Sequence, residues 1–114
     1  MSHSHKFFSS EPNFAGHYVV VTKGCGGNAI CGEIFDALSG KVVAGFPNAY
    51  QLNGPDDDFY DADFKSWSRL LIISGVAADP EVGVDGKLLL PCYRTRYYEF
   101  RDERLILIRI DEGR

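Results

Sequence analysis

The chain has 114 residues, is 45% apolar and 25% charged, and carries a formal net charge of −4. Its length suits one domain with one core. An acidic balance argues against nucleic acid as the partner, because phosphate binding needs a basic surface, and no apolar run approaches the roughly 20 residues of a membrane-spanning helix.

Residues 1–12 read as an irregular lead-in or a tag remnant, closed by Pro12. His3 and His5 belong to this tail, which lacks the long apolar stretch and the small-residue cleavage site of a signal peptide. Residues 13–114 then form a single β domain. Residues 17–23 (HYVVVTK) are β-branched and aromatic, a strand signal. A glycine-rich turn follows at 24–28. Residues 29–37 fit two templates, because Ile30, Ile34, Phe35 and Leu38 also share one face of a helix. Residues 36–41 predict a hairpin connection with Gly40 in the left-handed region, and 41–46 a strand ended by Pro47 and Asn48. A further turn falls at 53–56. Residues 69–74 (RLLIIS) are apolar on both faces, which predicts a central strand. Residues 75–87 read as loop, with Pro80, Gly83, Asp85 and Gly86. A short strand is expected at 88–90 and an aromatic one at 92–101. Asp102 and Glu103 make a tight turn into a last strand at 104–110. Turns at this spacing predict an all-β fold, a single compact antiparallel sandwich or partly closed barrel of about six to eight short strands.

Three cysteines allow at most one internal disulfide. Cys25 and Cys31 flank a five-residue excursion and are the candidate pair; three reduced, buried thiols are the other reading. Their C-x5-C spacing suits neither zinc nor thioredoxin chemistry. Gly24, Gly26 and Ala29 have the spacing of a dinucleotide phosphate loop after a strand. Three features oppose that reading. No acidic residue ends the next strand, Gly32 weakens the required helix, and no second helix-then-strand unit follows. His17 is the one credible catalytic histidine, and nothing in the spacing brings Cys25 or Ser39 to it as a nucleophile.

Asp56, Asp57, Asp58, Asp61 and Asp63 crowd into one short segment. The EF-hand pattern fails there, so calcium is not expected. A solvated acidic loop or a docking patch for a basic protein fits better. Arg94, Arg96 and Arg101 alternate with Tyr93, Tyr97 and Tyr98. Arg–Tyr stacking across a sheet explains this better than a single-stranded nucleic-acid surface, because Glu99, Asp102 and Glu103 lie beside them.

The run Asn13, Phe14, Ala15, Gly16, His17, Tyr18, followed by VVVTKGCG, resembles a family of small bacterial proteins with an N-F-A-G-H-Y and V-T-W-G-C-G pattern. Its hairpin, S-R-L-L-I strand and closing Y-Y-x-W/F pair have counterparts at 36–42, 68–75 and 97–100. Lys23 stands where that family commonly has Trp, and Cys31 comes later than its second cysteine. The family is mostly uncharacterised and usually exported, so the resemblance implies an extracytoplasmic, periplasmic β domain without an established activity. Within the motif, Gly16 is expected to allow close backbone approach, and Asn13 and His17 to anchor the start of a strand. Gly24 and Gly26 complete the motif.

These features favour a non-enzymatic binding module for a protein partner, such as an inhibitor or immunity-type protein of a cell-wall hydrolase or toxin. No cofactor or metal is expected. A small nucleotide-binding or hydrolytic domain using residues 24–29 and His17 is the first alternative, and a structural domain of a larger assembly the second.

Overall fold

In a computed structural model of the protein, residues 11–52 and 59–112 are described. Most of the predicted lead-in, with His3 and His5, lies outside them, as do Asp56, Asp57 and Asp58. Residues 11–13 form no regular structure.

The β-branched run begins strand β1 (Tyr18–Gly26), which pairs antiparallel with β2 (Ala29–Asp36). The segment that fitted helix or strand is therefore a strand. Gly26, Gly27 and Asn28 turn the hairpin with φ of 96°, 61° and 61°, values that glycine and asparagine tolerate. Gly24 lies within β1, and Ala29 starts a strand rather than a helix. The phosphate-loop reading loses its helix N-terminus accordingly. Gly32 has a different use: the Phe46 ring lies where a Cβ would stand.

Gly40, at φ 74°, turns the chain into β3 (Val42–Gly45), which pairs with β2. Pro47 has no N–H to continue the ladder. Pairing resumes in β4 (Tyr50–Gln51), farther along the same edge of β2, where Ile30 faces Tyr50. This sheet thus contains four strands.

A second four-stranded sheet is built from β5 (Asp61–Asp63), β6 (Leu70–Val76), β9 (Tyr93–Arg101) and β10 (Arg104–Glu112), in the order β10-β9-β6-β5. β6 lies inside it, as its two apolar faces predict. Asp102 and Glu103 turn β9 into β10 with φ of 54° and 57°, the double positive φ of a tight hairpin turn. A bulge between Leu107 and Arg109 bends the edge strand β10, a common device against edge-to-edge pairing. Between β6 and β9, β7 (Glu81–Val82) and β8 (Leu88–Leu89) form a small separate hairpin.

The described residues hold ten strands, more than the six to eight expected. The additions are short. β4 and β7 have two residues each, too few to show a period, and β5 lies in the acidic stretch read as loop.

Leu71 and Ile73 of β6 and Tyr98 and Phe100 of β9 meet Val20 and Ile34 of the first sheet in one core with Phe14 and Tyr50. An isolated bridge between Tyr50 and Ala77 joins the two sheets at one corner. The barrel does not close, and the architecture is a sandwich. Among the described residues no helix is long and apolar enough to cross a membrane.

Candidate functional site

Three places bear on function: the motif at the start of β1, the inward side of β9, and the outer face of the second sheet.

At the first, the chain folds back so that Phe14 bridges Tyr18. Ala15 and Gly16 take φ of 50° and 94°. No atom lies where a Gly16 Cβ would stand, so its left-handed backbone, rather than the expected close approach, calls for glycine. The Gly16 N–H donates to the Ser66 carbonyl at 2.8 Å and the Ala15 N–H to that of Ser68 at 3.0 Å, tying the motif to the second sheet. The Asn13 side chain anchors β1 as expected. Its Oδ1 accepts from the Val20 N–H at 2.8 Å, and its Nδ2 donates to the Val20 carbonyl at 3.4 Å. Phe14 is fully buried against Phe64 and Phe100. Tyr18 meets Phe100 edge-on and donates from its hydroxyl to Glu103 at 3.2 Å. His17 stacks on Tyr18, with Nε2 3.6 Å from Asp36. Every side chain of the motif has a structural contact. Cys25, which could otherwise have served His17 as a nucleophile, is in a disulfide with Cys31, Cα to Cα 5.8 Å; Cys92 is free and exposed.

The second place departs from expectation. Alternation along β9 turns Arg94, Arg96, Tyr98 and Phe100 inward and Tyr93, Thr95, Tyr97 and Glu99 outward. Arg94 and Arg96 are therefore interior residues. Arg96 has 0% exposure. Its Nε and Nη2 both donate to the Glu81 carboxylate, Nη2 at 2.9 Å. Its Nη1 donates to the carbonyls of Arg94 at 3.1 Å and Ile73 at 3.4 Å. Arg94 reaches Glu81 at 3.4 Å and Glu112 at 3.0 Å. Burial works against the Arg96 charge, but the Glu81 carboxylate more than offsets it and holds the guanidinium above its ordinary value. Arg–Tyr stacking is present with other partners than its strand neighbours: Arg96 lies 4.9 Å from the Tyr50 ring and Arg109 5.6 Å from that of Tyr97. Burial, then neighbouring Tyr98, raises the Tyr50 hydroxyl far above its usual range. Glu81 escaped the sequence reading because it sits in a stretch read as loop. The arginines had a legible signal: they share the period-two phase of Tyr98 and Phe100.

On the outer face, register places Asp61 opposite Ser74 and Asp63 opposite Ile72, on the side away from buried Leu71 and Ile73. Both aspartates are exposed, and Asp63 pairs with Lys65 at 3.2 Å. A shallow hollow of about 280 Å³ lies beside them, bordered by Asp63, Trp67, Leu70 and Ile72. Trp67 is 78% exposed. Sequence reasoning found the aspartates and passed over Trp67, because nothing local marks a tryptophan as surface or core. No group of three or more His, Cys, Asp or Glu poised to hold a metal occurs among the described residues. No protein-family model, curated protein or solved structure matches the chain.

Proposed function

We propose that the protein is a non-enzymatic binding module that engages a basic protein partner through the outer face of its second sheet. The supporting observation is the exposed Trp67, beside Leu70 and Ile72, with Asp63 on the rim and Asp61 farther along β5. An aromatic anchor with a polar rim is the usual anatomy of a protein interface. Acidic charge at the rim speeds encounter with a basic partner. Edge charges also discourage strand pairing, a role compatible with docking on the adjacent face. The finer reading is an inhibitor or immunity-type protein of a cell-wall hydrolase or toxin, placed in the periplasm of a bacterium. The Cys25–Cys31 disulfide supports that compartment, since disulfides persist where conditions are oxidising.

The test is affinity capture from periplasmic extract with wild type, Trp67→Ala and Asp61→Asn/Asp63→Asn. A basic protein retained by wild type should be lost with Trp67→Ala and weakened by the double variant and by salt. Trp67→Ala should change stability by no more than about 0.5 kcal/mol, as expected for an exposed residue. Equal retention by all three proteins, or none by wild type, would count against the reading.

A further inference from the structure

Two like charges on the interior side of one strand need counter-charge: Glu112 of β10 supplies part of it to Arg94, and Glu81, the partner of both arginines, comes from the β7–β8 hairpin rather than from either sheet. Arg96 has other supports. The carbonyls of Ile73 and Arg94 and the Tyr50 ring hold its guanidinium in place. Its planar fork is thus oriented to receive a carboxylate in two-point fashion, whichever chain provides one.

The hairpin that carries Glu81 is held differently. Its two strands have two residues each, short of what makes a two-stranded sheet stable by itself. Cavities of about 400, 420 and 290 Å³ flank it. Leu88 and Leu90 are 73% and 82% exposed. Pro80 and Pro91 bound the segment. The 400 Å³ cleft runs between Ala77, Pro80, Leu88 and Pro91 and has Glu81 in its wall, so it leads from solvent to the Glu81 side of the ion pair.

We propose that the β7–β8 hairpin is a strap over a carboxylate-binding site, and that Glu81 is the site's built-in occupant. When the strap lifts, Arg94 and Arg96 accept the carboxylate of a ligand entering by the cleft. The step exchanges one carboxylate for another, so the local charge is unchanged and no covalent bond is made or broken. The apolar cleft walls favour a ligand with an apolar body beside its carboxylate. This site is separate from the outer face proposed above.

Amide hydrogen exchange of the wild-type protein tests the strap. The Gly83 N–H, which donates to the Lys87 carbonyl at 2.9 Å, reports on the hairpin. The Phe100 N–H, which donates to the Arg69 carbonyl at 2.8 Å, reports on the sheet. Sodium acetate should accelerate Gly83 exchange several-fold over sodium chloride of equal ionic strength, and leave Phe100 unchanged. A short peptide ending in an apolar residue with a free carboxylate, compared with its amide, separates a polypeptide source from a free organic acid; the free acid form alone should reproduce the acetate effect if the ligand is a peptide terminus. Equal Gly83 exchange in acetate and chloride overturns the proposal. In a second measurement, Glu81→Ala should unfold at a temperature several degrees higher in acetate than in chloride, because a ligand that binds the native state stabilises it. A folded Glu81→Ala with the same midpoint in both salts also overturns the proposal. If the variant does not fold, the wild-type exchange decides.

Discussion

The two halves of β9 close the same sandwich by opposite means. Phe100 ends in an apolar corner, covered by the rings of Phe14 and Tyr18. Further back along the strand, Arg94 and Arg96 point the same way and end in charge, covered by Glu81 and, for Arg94, by Glu112 as well. The apolar corner is closed by the turn that leads directly into β1, and its backbone is tied to the second sheet. The ionic corner is closed by a hairpin that belongs to neither sheet. Apolar surface accepts any well-shaped neighbour. A buried charge accepts only its counter-charge, so the second corner depends on carboxylates, and its fully buried Arg96 on that of Glu81 alone.

Substitutions on each side break this comparison. Phe14→Ala and Glu81→Ala should each cost about 3–5 kcal/mol in denaturant unfolding, the first by leaving a cavity and the second by orphaning the Arg96 guanidinium and leaving Arg94 only Glu112. The corners should then part company. Combining Glu81→Leu with Arg94→Leu and Arg96→Met should recover most of the loss, because apolar groups of similar volume often replace a buried ion network without cost. No second change near Phe14 should do the same short of refilling the cavity. A triple variant no more stable than Glu81→Ala would show that the ionic corner depends on more than charge balance.

Smaller effects are expected within the first sheet. Gly32→Ala should cost about 1–3 kcal/mol, since its methyl must displace the Phe46 ring. Removing the disulfide with Cys25→Ser/Cys31→Ser should cost about 2 kcal/mol, the value for so short a loop. Its effect on amide exchange should concentrate at the hairpin tip and at Leu52, whose N–H donates to the Asn28 carbonyl at 2.9 Å. Uniform acceleration across both sheets would contradict that.

The mildest prediction concerns alkali. Burial, then neighbouring Asp61, raises the Tyr60 hydroxyl from 10.0 to about 12. Below pH 10 the folded and unfolded chains both keep this proton. Between 10 and 12 the unfolded chain loses it first, so stability should fall with rising pH through that window. Thermal unfolding midpoints followed alongside tyrosinate absorbance check it, and Tyr60→Phe should remove part of the slope.

Much of the strand framework was legible before the fold was known. β-Branched, aromatic and apolar runs marked β1, β6, β9 and β10, Gly40 marked the turn from β2 to β3, and the Asp102–Glu103 pair that from β9 to β10. β4 and β7 were not, because two residues carry no period and their pairing is decided by distant partners. The choice between helix and strand for residues 29–37 was equally closed to local reasoning, since both patterns fit and only pairing with β1 separates them. Of the proposed docking face, Asp61 and Asp63 stood out as charge, whereas Trp67 needed the sheet beneath it to show which way it faces.

Composition and turn chemistry alone mark an acidic chain of antiparallel β-strands, because they are local properties that survive in any arrangement of the strands. The period-two phase that Arg94 and Arg96 share with Tyr98 and Phe100 is equally a property of one strand, although it was as stacking partners of the tyrosines that the arginines were expected to serve. Only the tertiary structure decided what those arginines meet. Glu81 lies on another element, and a buried ion pair forms only when the whole fold brings its two halves out of water together.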